Sequence, residues 1–182
     1  MPQGELLQKD ISESQDYGKE SYFRVIDRKT ASLFGASAYI GAKTATEEKD
    51  YSFDAEQFGR LLGRAFQIRD DMLDFDMSSI GGKGFGNDIK EKKITLPLIF
   101  LLESLNESDR EHLLGFIARE DKTEREIKAL IEAVCESDCL DKSEEEVRRY
   151  SLLAKEHLQL LPDNEYRKKL EELTDYLVLR KL

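Results

Sequence analysis

The stretch from Phe58 to Asp76, FGRLLGRAFQIRDDMLDFD, constrains the fold more than any other segment of the chain. On a helical wheel at about 100° per residue, Leu61, Ala65, Ile68, Met72 and Phe75 fall within roughly 80° of one another. Leu62, Phe66 and Leu73 widen the apolar arc to about half the circumference, the mark of a helix buried on much of its surface. The remaining arc carries Gly63, Gln67, Asp70, Asp71 and Asp74, with neither Lys nor Glu on that stripe. Carboxylates so crowded repel one another and cost stability unless a cation is present. Asp70 and Asp74 lie one turn apart with Asp71 between them, a spacing suited to a hard divalent ion such as Mg²⁺. That ion is typically held by a few carboxylates, with water and phosphate oxygens completing its shell. A solvated acidic face is the alternative that spacing alone leaves open.

The rest of the chain reads as helix. Phe23, Ile26, Thr30, Leu33, Phe34 and Ser37 recur at three- and four-residue steps, predicting a continuous helix over about Tyr22–Ala42, with small residues from Gly35 onward suited to close helix contact. Thr44–Tyr51 reads as a connector, and the acidic helix runs from about Ser52, its expected N-cap, to Asp76. The four glycines of Met77–Gly86, MSSIGGKGFG, predict a loop. Pro97 suits the first turn of a helix beginning near Thr95 and ending near Leu105. Ser108, Thr123 with Glu126, and Ser143 with Glu146 are the expected starts of three further helices, ending near Ala118, Val134 and Leu161. Pro162 ends the third, and Asp163 or Asn164 opens the last. The helices near Tyr22, Ser52 and Thr95 are the expected core, and the charge-rich part after Leu105 reads as solvated amphipathic helices wrapped on it.

Composition narrows the function. The chain has 182 residues and a formal charge of −10, enough length for one domain with its own core and an acidic balance that disfavours general nucleic-acid binding. Cys135 and Cys139 lack companions at zinc spacing and suggest no disulfide framework, so they read as thiols without a role. His112 and His157 read as surface residues, and Tyr39, Tyr150, Tyr166 and Tyr176 as packing residues. No apolar run is long enough to span a membrane, and MPQGELLQKD has no signal pattern, so a cytoplasmic location is expected.

Basic residues follow the acidic stripe. Lys83 sits in the glycine-rich loop, Lys90, Lys92 and Lys93 precede Thr95, and Lys29 with Thr30 lies upstream beside Arg24 and Arg28. A flexible ammonium is a suitable point charge for a diphosphate. Taken in order, FQIRDDMLDF, GGKGFGND and EKKITLPLI resemble the second aspartate-rich region of the trans-isoprenyl (polyprenyl) diphosphate synthases, the upstream RKTASLF resembles that family's Lys-Thr helix segment, and QGELLQ resembles the helix before it. The likeness covers Gln3–Leu102 closely, with an acidic helical tail over 103–182.

The resemblance implies an all-α isoprenoid-synthase helical bundle, here a single domain lacking the N-terminal helices. It implies a prenyltransferase: an allylic diphosphate ionises and the cation is attacked by isopentenyl diphosphate. In that scheme Asp70 and Asp71 hold Mg²⁺, and Asp74 completes the stripe through water. Lys29 and Lys83 neutralise the departing diphosphate, Lys93 closes the loop over it, and Thr30 and Gln67 line the cavity and stabilise the cation by their dipoles. The family normally carries a first aspartate-rich motif with basic residues for isopentenyl diphosphate, and this sequence supplies neither. Lys92-Lys93 also stands where the family often has Gly-Lys. The resemblance therefore implies the C-terminal half of a synthase, with little activity alone and association as a homodimer or with a missing N-terminal half. A regulatory or stabilising subunit of the same fold is the alternative, and a terpene cyclase would need a different second metal motif, which is not seen.

Overall fold

The structure is a computed structural model that describes residues 17–45, 49–76 and 86–179. Among these residues all regular structure is helical: α1 Lys19–Ile26, α2 Ser32–Ala45, α3 Ser52–Leu73, the single turn α4 Asn87–Lys90, α5 Leu96–Ser104, α6 Glu107–Ala118, α7 Glu124–Glu136, α8 Cys139–Leu158 and α9 Glu165–Leu179. The acidic helix α3 lies at the centre, with α2 packed along it on one side and α8 on another, while α5 and α9 pack on α8. As the wheel predicts, Ala65, Ile68 and Met72 of α3 and Phe75 just beyond it are buried to the last few percent, and Leu61 is partly buried. Every residue of α5 from Leu96 to Leu102 is buried, as expected of a helix apolar all round.

Several expectations need correcting. The helix predicted over Tyr22–Ala42 is interrupted by a π-helical turn, Asp27–Ala31, which separates α1 from α2. A π turn inserts an extra residue and swings the following side chains around the axis. The insertion is held by Arg64 of α3, whose guanidinium donates to both carboxylate oxygens of Asp27 at 2.6 and 2.5 Å. Ser52 is not the N-cap of α3: Asp50 accepts from the Ser52 backbone and hydroxyl, because a carboxylate two residues upstream reaches both donors. Asn106 rather than Ser108 caps α6, accepting from the Asp109 N–H. Ser143 does not open α8 but is buried inside it, its hydroxyl donating to the Cys139 carbonyl. The capping box of Thr123 and Glu126 is present as expected, and Asn164 accepts from the Arg167 N–H at the start of α9.

The charge-rich part is more deeply committed than its composition suggests. Val147, Tyr150, Ala154 and Leu158 form a buried stripe on α8, so this helix belongs to the core. Tyr39, Tyr166 and Tyr176 are exposed, and of the four tyrosines read as packing residues Tyr150 alone is buried. Cys135 is half-buried and Cys139 buried, both as free thiols. His157 is partly buried and lies 3.2 Å from Asp54. No helix among the described residues is long and apolar enough to cross a membrane.

Helices α2 and α3 touch backbone to backbone. A Cβ on Gly59 would sit 2.5 Å from the Phe34 carbonyl oxygen, and one on Gly63 would sit 2.7 Å from the Ala31 Cα. Neither neighbour is a flexible side chain, so the helices themselves would have to part. Gly59→Ala is expected to cost about 2–3 kcal/mol by overpacking, seen as a fall of roughly 4–10 °C in the thermal midpoint. A midpoint unchanged within a degree would contradict the close approach.

Candidate functional site

The site forms where α1, the π turn, α3 and the segment from Asp88 to Thr95 meet. They enclose a cavity of about 150 Å³ lined by Tyr17, Tyr22, Lys29, Gln67, Asp70, Asp71, Asp88 and Lys93, with Val25, Ile26, Ile94 and Ile99 as an apolar wall. Tyr22 on α1 and Lys29 in the π turn both reach the cavity. Of the site residues expected from sequence, Lys29, Gln67, Asp70, Asp71 and Lys93 line this cavity. Lys83 lies outside the described residues. Thr30 stands behind Gln67, its hydroxyl donating to Gln67 Oε1 at 2.5 Å.

A chain of hydrogen bonds converges on Asp71. Gln67 Nε2 donates to Asp71 Oδ1 at 2.8 Å, and the Tyr22 hydroxyl donates to Asp71 Oδ2 at 2.7 Å. Thr30 fixes which end of the Gln67 amide faces Asp71, so its dipole is spent on orienting that carboxylate. Burial, with smaller contributions from Asp88 and Asp70, pushes the Asp71 carboxyl up to about 7 against the two donors that favour its charged form. Burial and then the neighbouring Asp71 hold the Tyr22 phenol well above its ordinary range.

The stripe does not stay together. Asp70 is exposed, whereas Asp71 is 8% exposed. Asp74 turns away to the Asn87–Lys90 turn, where Oδ1 accepts from the Asn87 N–H at 2.8 Å and Oδ2 from the Asp88 N–H at 3.1 Å. Burial and the charge of Asp88 raise the Asp74 pKa, and the two N–H donors oppose them. Lys93 reaches Asp88 at 3.2 Å and Glu91 at 2.6 Å. Its own burial works against its charge, yet the acidic partners outweigh this and its pKa is raised.

Two residues of the site escape the pattern of α3. Asp88 stands in the stretch GGKGFGND but off the acidic stripe, and only the turn after the glycines brings it opposite Asp70 and Asp71. Tyr22 stands on α1, and its bond to a residue 49 positions away has no signal in the sequence.

The residues fit one kind of cation binding. Among the described residues no three His, Cys, Asp or Glu side chains form a cluster that could hold a metal ion. Asp70, Asp71 and Asp88 still concentrate carboxylate charge on one polar cavity beside Lys29 and Lys93. That set suits a hard cation sharing its shell with water and a ligand's phosphate oxygens, not one caged by protein alone.

Comparison with known proteins shows the family of the chain. The polyprenyl synthetase family profile matches residues 1–134. The short chain isoprenyl diphosphate synthase of Methanothermobacter thermautotrophicus is 32% identical over 180 residues, which is 98% of this chain and 54% of that protein. The crystal structure of a decaprenyl diphosphate synthase from Rhodobacter capsulatus matches with a TM-score of 0.88 at 30% identity, over 98% of this chain and 55% of that one. The polyprenyl synthase from Caulobacter crescentus, crystallised with calcium and isoprenyl diphosphate, matches with a TM-score of 0.85 at 33% identity, over all of this chain and 56% of that one. The chain thus spans about half the length of the curated relatives it matches. With the all-α bundle, the matched sequence and the shared fold in agreement, the chain belongs to the polyprenyl synthetase family.

Proposed function

We propose that this cavity binds the diphosphate of an allylic isoprenyl diphosphate, and that the chain carries this half of a Mg²⁺-dependent prenyltransferase site for condensation with isopentenyl diphosphate. The observation that supports it is the meeting of Asp70, Asp71 and Asp88 with Lys29 and Lys93 beside the wall of Val25, Ile26, Ile94 and Ile99. An isoprenyl diphosphate divides its chemistry the same way, a polyanionic head on a hydrocarbon tail. Mg²⁺, when bound through Asp70 and Asp71, would neutralise charge on the leaving diphosphate. Lys29 and Lys93 hold ammonium groups where that charge grows, an interaction worth more in the transition state than in the ground state. Lys93 exchanges Asp88 and Glu91 for phosphate oxygens, and Lys83 is proposed to add a further ammonium. Tyr22, Gln67 and Thr30 keep Asp71 aimed at the cavity. The isoleucines and Val25 keep water from the allylic carbon, and no protein nucleophile is needed.

Turnover in this scheme needs the isopentenyl diphosphate site of a complete synthase, so the chain by itself is proposed to carry little or no prenyltransferase activity. Leu33 and Ile40 on α2 and Phe53 at the start of α3 are 48%, 59% and 65% exposed, apolar surface that a further helical half would cover. The test is calorimetric titration of inorganic diphosphate into the chain with and without Mg²⁺. Binding is expected only with the cation, and Asp70→Ala/Asp71→Ala is expected to weaken it by about 100-fold. Wild-type affinity in that double variant would overturn the proposal.

A further inference from the structure

We infer that Asp74, the third carboxylate of the stripe, is a positioning residue that clasps Asp88 and Lys93 into the cavity and does not ligate the cation. The inference rests on the diphosphate-binding reading above. Asp74 follows directly on α3 and is absent from the cavity lining, whereas Asp70 and Asp71 on the same stripe belong to it. Each of its oxygens is engaged by a different backbone donor, the N–H groups of Asn87 and Asp88. These two donors open the α4 turn and have no partner within it, so a carboxylate set against them fixes where the turn begins.

What the turn carries is the functional side of the argument. The Asp88 carbonyl accepts from the Lys93 N–H at 2.8 Å, and the Asp88 carboxylate meets the Lys93 ammonium at 3.2 Å. Lys92, between them, takes a left-handed φ of 59°, which brings the backbone round for the Asp88–Lys93 closure. Asp88 and Lys93 both line the cavity. Thus Asp74 places the Asp88 backbone, Asp88 places Lys93, and Lys93 faces the ligand. Both Asp74 oxygens are already engaged by backbone donors, and Asp74 is not among the residues that line the cavity.

The role is separable from that of a ligand and from that of a mere cap. The experiment is calorimetric binding of inorganic diphosphate over a series of Mg²⁺ concentrations, for wild type, Asp70→Ala, Asp74→Ala, Lys93→Met and Asp74→Ala/Lys93→Met. Asp74→Ala is expected to weaken diphosphate binding by about tenfold, the scale of a lost charged hydrogen bond, with the Mg²⁺ concentration for half-saturation unchanged within about twofold. Asp70→Ala should raise that Mg²⁺ requirement. Because Asp74 acts through Lys93, the double variant should bind no more weakly than the weaker single variant. Asp74→Asn, which keeps one acceptor oxygen but no charge, should lie between wild type and Asp74→Ala, and it serves where Asp74→Ala does not fold. A Mg²⁺ requirement raised as in Asp70→Ala, or losses at Asp74 and Lys93 that multiply in full, would overturn the inference while leaving the diphosphate site standing. Absence of Mg²⁺-dependent diphosphate binding in the wild type would remove the site itself, and the inference with it.

Discussion

Asp71→Asn is expected to make the metal-free chain more stable at pH 8 while weakening its Mg²⁺-dependent diphosphate binding by about tenfold. Burial pushes the Asp71 carboxyl up to about 7, with Asp88 and Asp70 adding to the shift against the donors Tyr22 and Gln67. The folded state therefore still holds a proton between about pH 4 and pH 7, where an unfolded aspartate has released it. Stability from this group is full below about pH 4, falls as pH rises through that window, and is lost above pH 7. Asparagine has no charge to desolvate, so it avoids the loss. It also fits the donors already present: its carbonyl accepts from Gln67, and its amide donates to the Tyr22 oxygen once that hydroxyl rotates. The measurement is the thermal midpoint of both proteins at pH 5 and pH 8. The difference should move in favour of the variant as pH rises. A constant difference would mean that Asp71 carries no buried charge at pH 8, and that its two donors hold it for packing alone.

The same residues show what a sequence discloses and what it does not. The apolar arc of α3 was legible because Ala65, Ile68, Met72 and Phe75 obey one local period, and that period decides which face a helix buries. The Thr123–Glu126 box was legible because both its bonds are made within one turn. Arg69 shows where local rules end. It lies on the apolar side of α3 and is 2% exposed, yet it is tolerated there because its guanidinium donates to the Val178 carbonyl, 109 positions on, and lies 3.8 Å from the Glu144 carboxylate. Nothing near Arg69 in the chain announces that acceptor. The π turn is hidden for the same reason, since the Asp27–Arg64 pair that holds it joins residues 37 apart. At the site, helical spacing put three aspartates on one stripe, but spacing is silent on what each carboxylate binds. Asp70 is exposed, Asp71 is held by Tyr22 and Gln67, and Asp74 is drawn off by backbone donors of the α4 turn. The stripe is a property of the helix, whereas the site is a property of what meets it.

Gly86→Ala is expected to cost about 2–5 kcal/mol, the sum of a left-handed backbone for a residue with a Cβ and of overpacking. Gly86 takes φ 61° at the entry to the α4 turn, and a Cβ there would sit 2.4 Å from Ile127 Cγ2. Ile127 is fully buried in α7, and its Cγ2 branches directly from Cβ, so it moves only if the whole side chain turns. The thermal midpoint should fall by on the order of 10 °C for a chain of this size. The consequence reaches the cavity, because Gly86 leads directly into Asn87 and Asp88, whose N–H groups Asp74 holds, and so into Lys93. A turn pushed off Ile127 carries Asp88 and Lys93 with it, so inorganic diphosphate binding should weaken even at temperatures where the variant is folded. Gly86→Asn separates the two causes. Asparagine tolerates the left-handed region better than alanine but brings the same Cβ. With the Ile127 contact dominant, both variants should lose stability to a similar degree; a Gly86→Asn variant close to wild type would show that backbone conformation alone sets the need for glycine.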